Sequence, residues 1–192
     1  LDVTRMNRVL AYDPGDLTLG VEPGVRFADL ARQLAGERQF LPLAPAFGEH
    51  ATIGGIVASG ADSPLRHGYG GVRDYLLGME FVTGAGVISK SGGRVVKNVT
   101  GYDLHKLLVG SLGTLAVITR INFRTFPVPP EMRVFLACFA DAAGALALCE
   151  RLNTTTWTDA DEITTGLQQA AEALERLSHV FARRRRRSRR PA

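Results

Sequence analysis

The sequence predicts an α+β fold in which a mixed or antiparallel sheet is flanked by helices. Apolar and polar residues alternate from Leu115 onward, as in a strand with one buried face. Residues 76–83 and 87–90 form a hairpin candidate around a Gly-Ala-Gly turn. Residues 27–38 carry apolar side chains at helical spacing. The chain therefore contains local patterns for both strands and helices.

The first predicted elements lie before residue 46. Residues 17–21 are typical of a strand, and Pro23-Gly24 turns the chain toward the helix 27–38. The apolar residues of this helix are Phe27, Leu30, Ala31 and Leu34. Residues 40–45 are predicted to be extended.

A second helix is predicted at 104–109, after an extended segment at 95–99. Asp103 can cap this helix, and Gly110 suits the left-handed turn that ends it. Its predicted buried residues are Leu104, Leu107 and Leu108, which leaves His105 on the solvated side. In the strand that follows, Val117, Thr119, Ile121 and Phe123 share one face, and Ile118, Arg120, Asn122 and Arg124 share the other.

The C-terminal part has a different character. A strand at 133–139 precedes a helix at 142–152 that Asp141 can cap. Residues 158–182 are predicted to form an amphipathic helix with a heptad-like seam, which would pack on its own domain or serve self-association or a partner subunit. Seven of the last ten residues are arginine, so residues 183–192 are predicted to be a disordered tail and the rest of the chain is mildly acidic.

Composition excludes several classes of protein. No run of about 18 apolar residues exists, which predicts no transmembrane segment and a cytoplasmic location. Cys138 and Cys149 have apolar neighbours and are predicted to be buried thiols. The four histidines are scattered, so no metal site is expected. The arginine tail has no interleaved aromatic residues, so no specific binding of nucleic acid is expected.

Four motifs occur in order over about 80 residues: ATIGGIVASG at 51–60, RHGYGGVRDYLLGMEFVT at 66–83, KNVTGYDL at 97–104 and GSLGTLAVIT at 110–119. Together they resemble the FAD-binding domain of the p-cresol methylhydroxylase (PCMH) type, and within it the FAD-binding subunit of glycolate oxidases. The resemblance covers residues 5–152. It implies that residues 1–127 are the larger subdomain of such a domain, with 128–157 as the start of a cap domain.

The resemblance implies FAD as the cofactor and a set of residues that face it. Glycines at 54 and 55 would let the 52–56 turn approach the ligand and offer N–H groups to it. The implied cofactor-binding residues are Thr52, Ile53, Gly54 and Gly55 near the pyrophosphate and ribityl region, Gly60, Tyr69, Gly70 and Asp74 around the same cleft, and Gly110, Gly113, Thr114 and Ile118 near the flavin and adenine ends.

The implied function is that of an FAD-binding subunit of a glycolate oxidase-like complex that oxidises a small 2-hydroxyacid. Its expected partners are a catalytic flavoprotein subunit and an iron–sulfur subunit. Leu112 stands where catalytic members commonly carry Glu, which resembles the accessory subunit, and Ala116 replaces a glycine of the family motif. The family's N-terminal subdomain and most of its cap are expected to be missing. The alternative is a truncated, non-catalytic remnant or assembly module without FAD.

Other nucleotide motifs do not fit this sequence. The Gly84-Ala85-Gly86 turn lacks the third glycine of a Rossmann fingerprint, and there is no GK[ST] of a P-loop. Lys97 and Asp103 are interpreted as a strand-edge residue and a helix cap. His67, in the GYG loop, is interpreted as solvated, like His105. No catalytic residue is therefore predicted, since nothing supplies a paired acid and base.

Overall fold

The computed structural model describes residues 2–94, 102–132, 139 and 141–154, with backbone alone at 151–154. Two compact units are present, Leu1–Pro130 and Glu131–Ala192. The predictions for 95–99, 158–182 and 183–192 lie outside the described residues, as does the strand predicted at 133–139 except for Phe139. No helix in the described part of the chain is long and apolar enough to cross a membrane.

The first unit is built on a five-stranded sheet in the order β1-β2-β6-β4-β5, in which every neighbouring pair is antiparallel. Two short strands, β3 and β7, form a second, antiparallel pair. The strands are β1 (Val9–Asp13), β2 (Thr18–Val21), β3 (Gln39–Phe40), β4 (Leu76–Thr83), β5 (Ile88–Gly92), β6 (Ala116–Arg124) and β7 (Phe126–Pro127). The helices of this unit are α1 (Phe27–Gly36), α2 (Ile53–Ser59), α3 (Arg66–Tyr69), α4 (Val72–Tyr75) and α5 (Leu104–Leu108).

The core lies between the sheet and the longer helices. Helix α1 buries Leu30 and Leu34, and α2 buries Ile53, Ile56 and Val57. These side chains share one apolar cluster with Leu19, Val21, Met79, Ile121 and Phe123 of the sheet. The structure thus confirms the predicted α+β class with an antiparallel sheet flanked by helices.

Most local predictions of the first unit hold with shifted ends. The hairpin is formed by β4 and β5, and the first helix ends at Gly36 because Arg38 adopts a left-handed backbone with φ 53°. The segment predicted to be extended at 40–45 is a strand only at Gln39–Phe40. Beyond Phe40, residues 41–45 have no strand partner among the described residues.

The predicted faces of the long strand β6 are wrong because of a β-bulge. Glu80 of β4 pairs with Arg120, but the next residue, Phe81, pairs with Ile118. The extra residue reverses the alternation, so Ala116 and Ile118 are buried before the bulge and Ile121 and Phe123 after it.

Helix α5 also differs from the prediction. Leu108 is buried, but Leu104 and Leu107 are exposed, and His105 is buried in their place at 3% exposure. In so short a helix, positions 105 and 108 are three apart and share the inward face, which turns 104 and 107 outward. Asp103 precedes the helix, but its side chain accepts no capping hydrogen bond from a backbone amide and instead pairs with Lys106 at 3.0 Å.

The second unit contributes α6 (Ala142–Thr154). The amide of Gly144 donates to Asp141 Oδ1 at 2.9 Å, which confirms the predicted cap. Cys149 is exposed, so its predicted burial is wrong, and Cys138 lies outside the described residues.

Candidate functional site: two adjoining clefts along helix α2

The first cleft lies where α2 begins, beside the start of β6, and has a volume of about 340 Å³. None of its described lining residues carries a charged side chain. They are Val3, Pro23, Thr52, Gly54, Gly55, Ala58, Leu112, Gly113, Ala116, Val117 and Ile118. Such a lining suits a flat, uncharged group that is recognised by shape and by backbone hydrogen bonds.

The predicted glycine turn at 52–56 is the first turn of a helix. Thr52 is the N-cap, and its Oγ1 accepts a hydrogen bond from the amide of Gly55 at 3.2 Å. The amide of Gly54 donates to Pro23 O at 2.7 Å, and that of Ile53 donates to Val25 O at 2.9 Å. The expectation that this turn offers free N–H groups is therefore wrong for Gly54. The amide of Gly55 could bind a ligand only by giving up its long, exposed hydrogen bond to Thr52 Oγ1.

The two adjacent glycines of α2 have different surroundings. A Cβ atom on Gly54 would lie 2.5 Å from Pro23 Cβ and 2.9 Å from Pro23 O. A Cβ atom on Gly55 would meet only Thr52 Oγ1, at 3.1 Å. Gly54 therefore allows α2 to pack against the Pro23 turn, whereas Gly55 leaves the cleft surface of α2 open.

The edge of β6 is unpaired where it borders the first cleft. Strand β2 pairs with β6 only as far as Val21 opposite Ile121, whereas β4 continues along the other side to Ala116. From residue 116 to residue 120, no described strand covers the β2 side. Alternate residues of this segment can offer backbone donors and acceptors to a ligand.

The loop that follows α5 joins the first cleft to α2. Gly110 and Gly113 have φ of 80° and 72°, a conformation that favours glycine. The amide of Gly110 donates to Val57 O at 3.1 Å, and that of Leu112 donates to Ala58 O at 2.7 Å. Between them, the Ser111 hydroxyl is buried with no partner among the described residues.

The second cleft adjoins the first along α2 and has a volume of about 480 Å³. Its lining is charged, in contrast to that of the first. The residues are Ser59, Gly60, Asp62, Arg66, Gly71, Val72, Arg73, Asp74, Lys106, Val109 and Gly110.

Most charges of the second cleft are already paired. Arg66 pairs with Asp62, and Asp74 Oδ2 accepts from the amide of Gly71 at 2.7 Å. Lys106 pairs with Asp103 and holds the pKa of that carboxyl below its usual range. Arg73 is exposed and forms no ion pair with a described residue. Arg73 is therefore the cation of this cleft that is most available to an anion.

The predicted cofactor-binding residues divide between the clefts. The structure brings Thr52, Gly54, Gly55, Gly113 and Ile118 together in the first cleft. It places Gly60, Asp74 and Gly110 in the second. The other four line neither cleft.

Those four residues have structural contacts. The side chain of Ile53 is fully buried in the core, and Tyr69 packs edge-on against Phe40 and Phe126 with ring centroids 5.2 Å away in each case. At Gly70, with φ 81°, a Cβ would lie 2.7 Å from Asp74 Oδ2. Thr114 Oγ1 donates to Ser111 O at 2.6 Å.

Several cleft residues were not predicted, chiefly Val3, Pro23 and Ala58 in the first cleft and Arg73 and Lys106 in the second. Pro23 reaches the site because the 23–26 segment bonds to the start of α2, through Pro23 O and through the bridge between Arg26 and Thr52. Only this long-range pairing reveals the contact. For Arg73, its place within the GYGGVRD motif was the available signal.

Comparison with known proteins tests the predicted family resemblance. Residues 1–92 match the family described as FAD binding domain. The match confirms the predicted resemblance to PCMH-type FAD-binding domains and supports FAD as the cofactor.

Relatives extend the likeness beyond the FAD binding domain segment. The chain is 42% identical over 130 residues to the glycolate oxidase subunit GlcE of Escherichia coli, a match that covers 67% of this chain and 37% of the relative. It is 36% identical over 140 residues to the glycolate oxidase subunit GlcD of Bacillus subtilis, covering 73% and 30%. It is 38% identical over 133 residues to a D-lactate dehydrogenase of Anaerostipes hadrus, covering 69% and 28%.

A solved structure has a similar fold. An alkyldihydroxyacetonephosphate synthase aligns with a TM-score of 0.57 and 28% identity, over 68% of this chain and 23% of that chain. The chain spans little more than a third, or less, of the length of the relatives it matches.

Proposed function

We propose that the chain is the FAD-binding part of a flavin-dependent oxidoreductase that acts on a small 2-hydroxyacid, as a subunit of a glycolate oxidase-like complex. The observation that carries the proposal is the pair of adjoining clefts along α2, which contain eight of the twelve residues that the motifs single out. The names of two relatives support a 2-hydroxyacid as the substrate class, because glycolate and D-lactate are both 2-hydroxyacids.

The two clefts suit different parts of FAD. The first, with its uncharged lining and the open edge of β6, suits the adenine end, where backbone groups of 116–120 can pair with ring nitrogens. This differs from the resemblance, which implies the pyrophosphate and ribityl region for Thr52, Gly54 and Gly55 of the same cleft. The second, with Arg73 and Lys106, suits the charged middle of the molecule. Gly55 and Ala58 have no large side chain on the cleft side of α2, so that an extended ligand can cross from one cleft to the other.

The catalytic chemistry belongs to the cofactor, and this chain positions it. When bound, FAD supplies the two-electron oxidation of the C–H bond beside the substrate hydroxyl. The residues of the clefts bind and orient the cofactor. Iron–sulfur and catalytic flavoprotein subunits are the proposed partners, in keeping with relatives that are named as glycolate oxidase subunits.

Titration with FAD tests the proposal, with Gly55→Val as the decisive variant. The valine side chain would project from the exposed surface of α2 into the first cleft, where it meets no protein atom closer than Thr52 Oγ1 at 3.1 Å. We expect the parent chain to quench FAD fluorescence and the variant to bind at least about tenfold more weakly, because the ligand loses close contact with α2. Far-ultraviolet circular dichroism should change little.

Gly84→Val is the matched control, because a Cβ at Gly84 has no neighbour within 4 Å and the residue lines neither cleft. It should bind FAD like the parent. If the parent does not bind FAD, the proposal fails and the sequence-based alternative, a non-catalytic assembly module, is favoured. If Gly55→Val binds as well as the parent, the first cleft is not part of the site.

A further inference from the structure

A buried histidine connects helix α5 to the sheet. His105 and Ser91 are 3% and 6% exposed, and His105 Nδ1 lies 2.9 Å from Ser91 Oγ. The same hydroxyl accepts from the amide of His105 at 3.1 Å and lies 3.1 Å from Tyr102 O. One serine of β5 therefore makes three contacts with Tyr102, which precedes α5, and with His105 in its first turn.

These contacts determine which ring nitrogen of the neutral imidazole carries the proton. A hydroxyl has one proton and two acceptor positions. The carbonyl oxygen of Tyr102 can only accept, so it takes the Ser91 proton, and the amide of His105 occupies one acceptor position. The remaining contact is satisfied only if Nδ1 carries a proton and donates it to Ser91 Oγ. The neutral ring is therefore the Nδ1–H tautomer.

The end of β5 is shaped to accommodate the ring. Gly92 has φ 68°, and a Cβ there would lie 3.1 Å from His105 Cε1 as well as 2.3 Å from Leu77 O. Among the residues of α5, His105 and Leu108 are the buried ones. The position of this short helix on the sheet thus depends on two side chains.

Helix α5 leads directly into the residues of both clefts. Lys106, Val109 and Gly110 line the second cleft. Leu112 and Gly113 line the first. A displacement of α5 would therefore move one wall of each cleft, because only one residue, Val109, separates the helix from the loop 110–113.

We propose that His105 is a positioning residue, whose bond to Ser91 fixes α5 on β5 and thereby sets Val109 and the loop 110–113 for ligand binding in both clefts. This inference rests on the proposed function, since FAD is the ligand in question. It predicts that occupancy of the clefts depends on the protonation of a residue that touches neither of them.

The charges around the ring set the direction of the pH dependence. Burial lowers the pKa of His105; Lys106 lowers it further, and Asp103 opposes the change. The described strands that pack on α5 are β4 and β5, whose charged residues are Glu80 and Lys90. These two pair with each other at 2.9 Å, and strand alternation places Lys90 on the face opposite Ser91.

A folded-state pKa below that of the unfolded chain means that the unfolded chain binds more protons on acidification. Protonation at Nε2 leaves the Nδ1–H bond to Ser91 in place but puts a charge on a buried ring, so it favours states in which α5 has moved off the sheet. The anchoring of α5 is therefore complete above the ordinary histidine value of about 6.5 and weakens as the pH falls below it.

The test compares FAD affinity at about pH 7.5 and about pH 5.5 in three chains, by quenching of flavin fluorescence. The parent should bind FAD more weakly at the lower pH. His105→Asn keeps an N–H donor near the Nδ1 position but cannot titrate. It should therefore bind FAD like the parent at the higher pH, and its FAD affinity should fall much less than that of the parent at the lower pH. Ser91→Ala should bind about tenfold more weakly at both values, because it leaves the amide and the Nδ1 of His105 without their shared partner, while Tyr102 O keeps only the amide of Leu104.

Nuclear magnetic resonance without FAD separates the two proposals. In the parent, the ring should show the Nδ1–H tautomer, and the amide signals of Gly110 and Gly113 should titrate together with it. In His105→Asn those amides should stay still. An Nε2–H tautomer, or the same pH profile of FAD binding in the parent and His105→Asn, would overturn the role of His105. Coupled titration in a chain that binds no FAD would sustain that role and refute the proposed function.

Discussion

The two clefts differ in what forms their walls. The first consists of small and apolar residues and the unpaired edge of β6, while the second has three cationic side chains, Arg66, Arg73 and Lys106. Backbone walls are fixed by the fold, whereas exposed side chains can move and are screened by salt. The first cleft should therefore control the shape of the ligand, and the second should respond to its charge.

The same contrast occurs within two consecutive residues of α2. Gly54 faces Pro23, and Gly55 faces the cleft. A motif with two glycines suggests one shared purpose, but the structure assigns one to packing and the other to the ligand surface. Variants of the two should therefore separate stability from binding.

The largest expected effect is that of Gly54→Ala. The added methyl group would lie 2.5 Å from Pro23 Cβ and 2.9 Å from Pro23 O, so the Pro23 turn or α2 must shift. We expect the free energy of unfolding to fall by about 1–3 kcal/mol, as for other overpacked cores. Denaturant unfolding measures this loss.

Gly55→Ala is the paired control for Gly54→Ala. Its methyl group meets only Thr52 Oγ1, at 3.1 Å, and alanine favours a helix by up to about 1 kcal/mol over glycine. The variant should be as stable as the parent or more so. Equal losses in the two variants would contradict the division of roles between the glycines.

The sequence predicted this region in part. The order of motifs identified the family and cofactor, and it selected eight of the residues that line the clefts. Local patterns could not reveal that the glycine turn begins a helix, because its amides are satisfied by Pro23 O and Val25 O, about 30 residues earlier in the chain.

The errors in β6 and α5 have a similar origin. The bulge opposite Glu80 and Phe81 depends on the pairing with β4, and nothing in the alternation of β6 alone indicates it. In α5, three leucines outweighed one histidine in the sequence pattern. The partner that buries His105 is Ser91, which precedes it by 14 residues and has no recognisable motif.

Arg73→Ala probes the second cleft and should have an intermediate effect. Arg73 is exposed and has no ion-pair partner among the described residues, so its removal should leave stability unchanged. We expect FAD affinity to fall by about three- to tenfold at low ionic strength, and by less as salt screens the interaction. Binding titrations at two salt concentrations measure the loss of FAD affinity and its dependence on salt.

Arg32→Ala is the matched control for Arg73→Ala, since Arg32 is an exposed arginine of the same unit that lines neither cleft. It removes the same charge and should leave FAD affinity within about twofold of the parent. An equal loss of affinity in both variants would show that net charge, and not the second cleft, attracts the ligand.

The smallest expected effect concerns Ala116, a buried residue that lines the first cleft at the start of β6. Ala116→Gly removes its methyl group and restores the residue of the family motif, so the cleft should widen beside the open strand edge. We expect FAD affinity to rise by about twofold, which corresponds to roughly 0.4 kcal/mol. Stability should fall slightly, because glycine in a strand costs about 0.5–1 kcal/mol.

Flavin mononucleotide provides the control for Ala116→Gly, because it has the flavin and one phosphate but no adenine. If the first cleft holds the adenine end, Ala116→Gly should change the affinity for FAD and leave that for flavin mononucleotide unaltered. Arg73→Ala should weaken both, since both ligands carry phosphate. A change of equal size for the two flavins in Ala116→Gly would place the flavin, rather than the adenine, beside β6 and would reverse the assignment of the clefts.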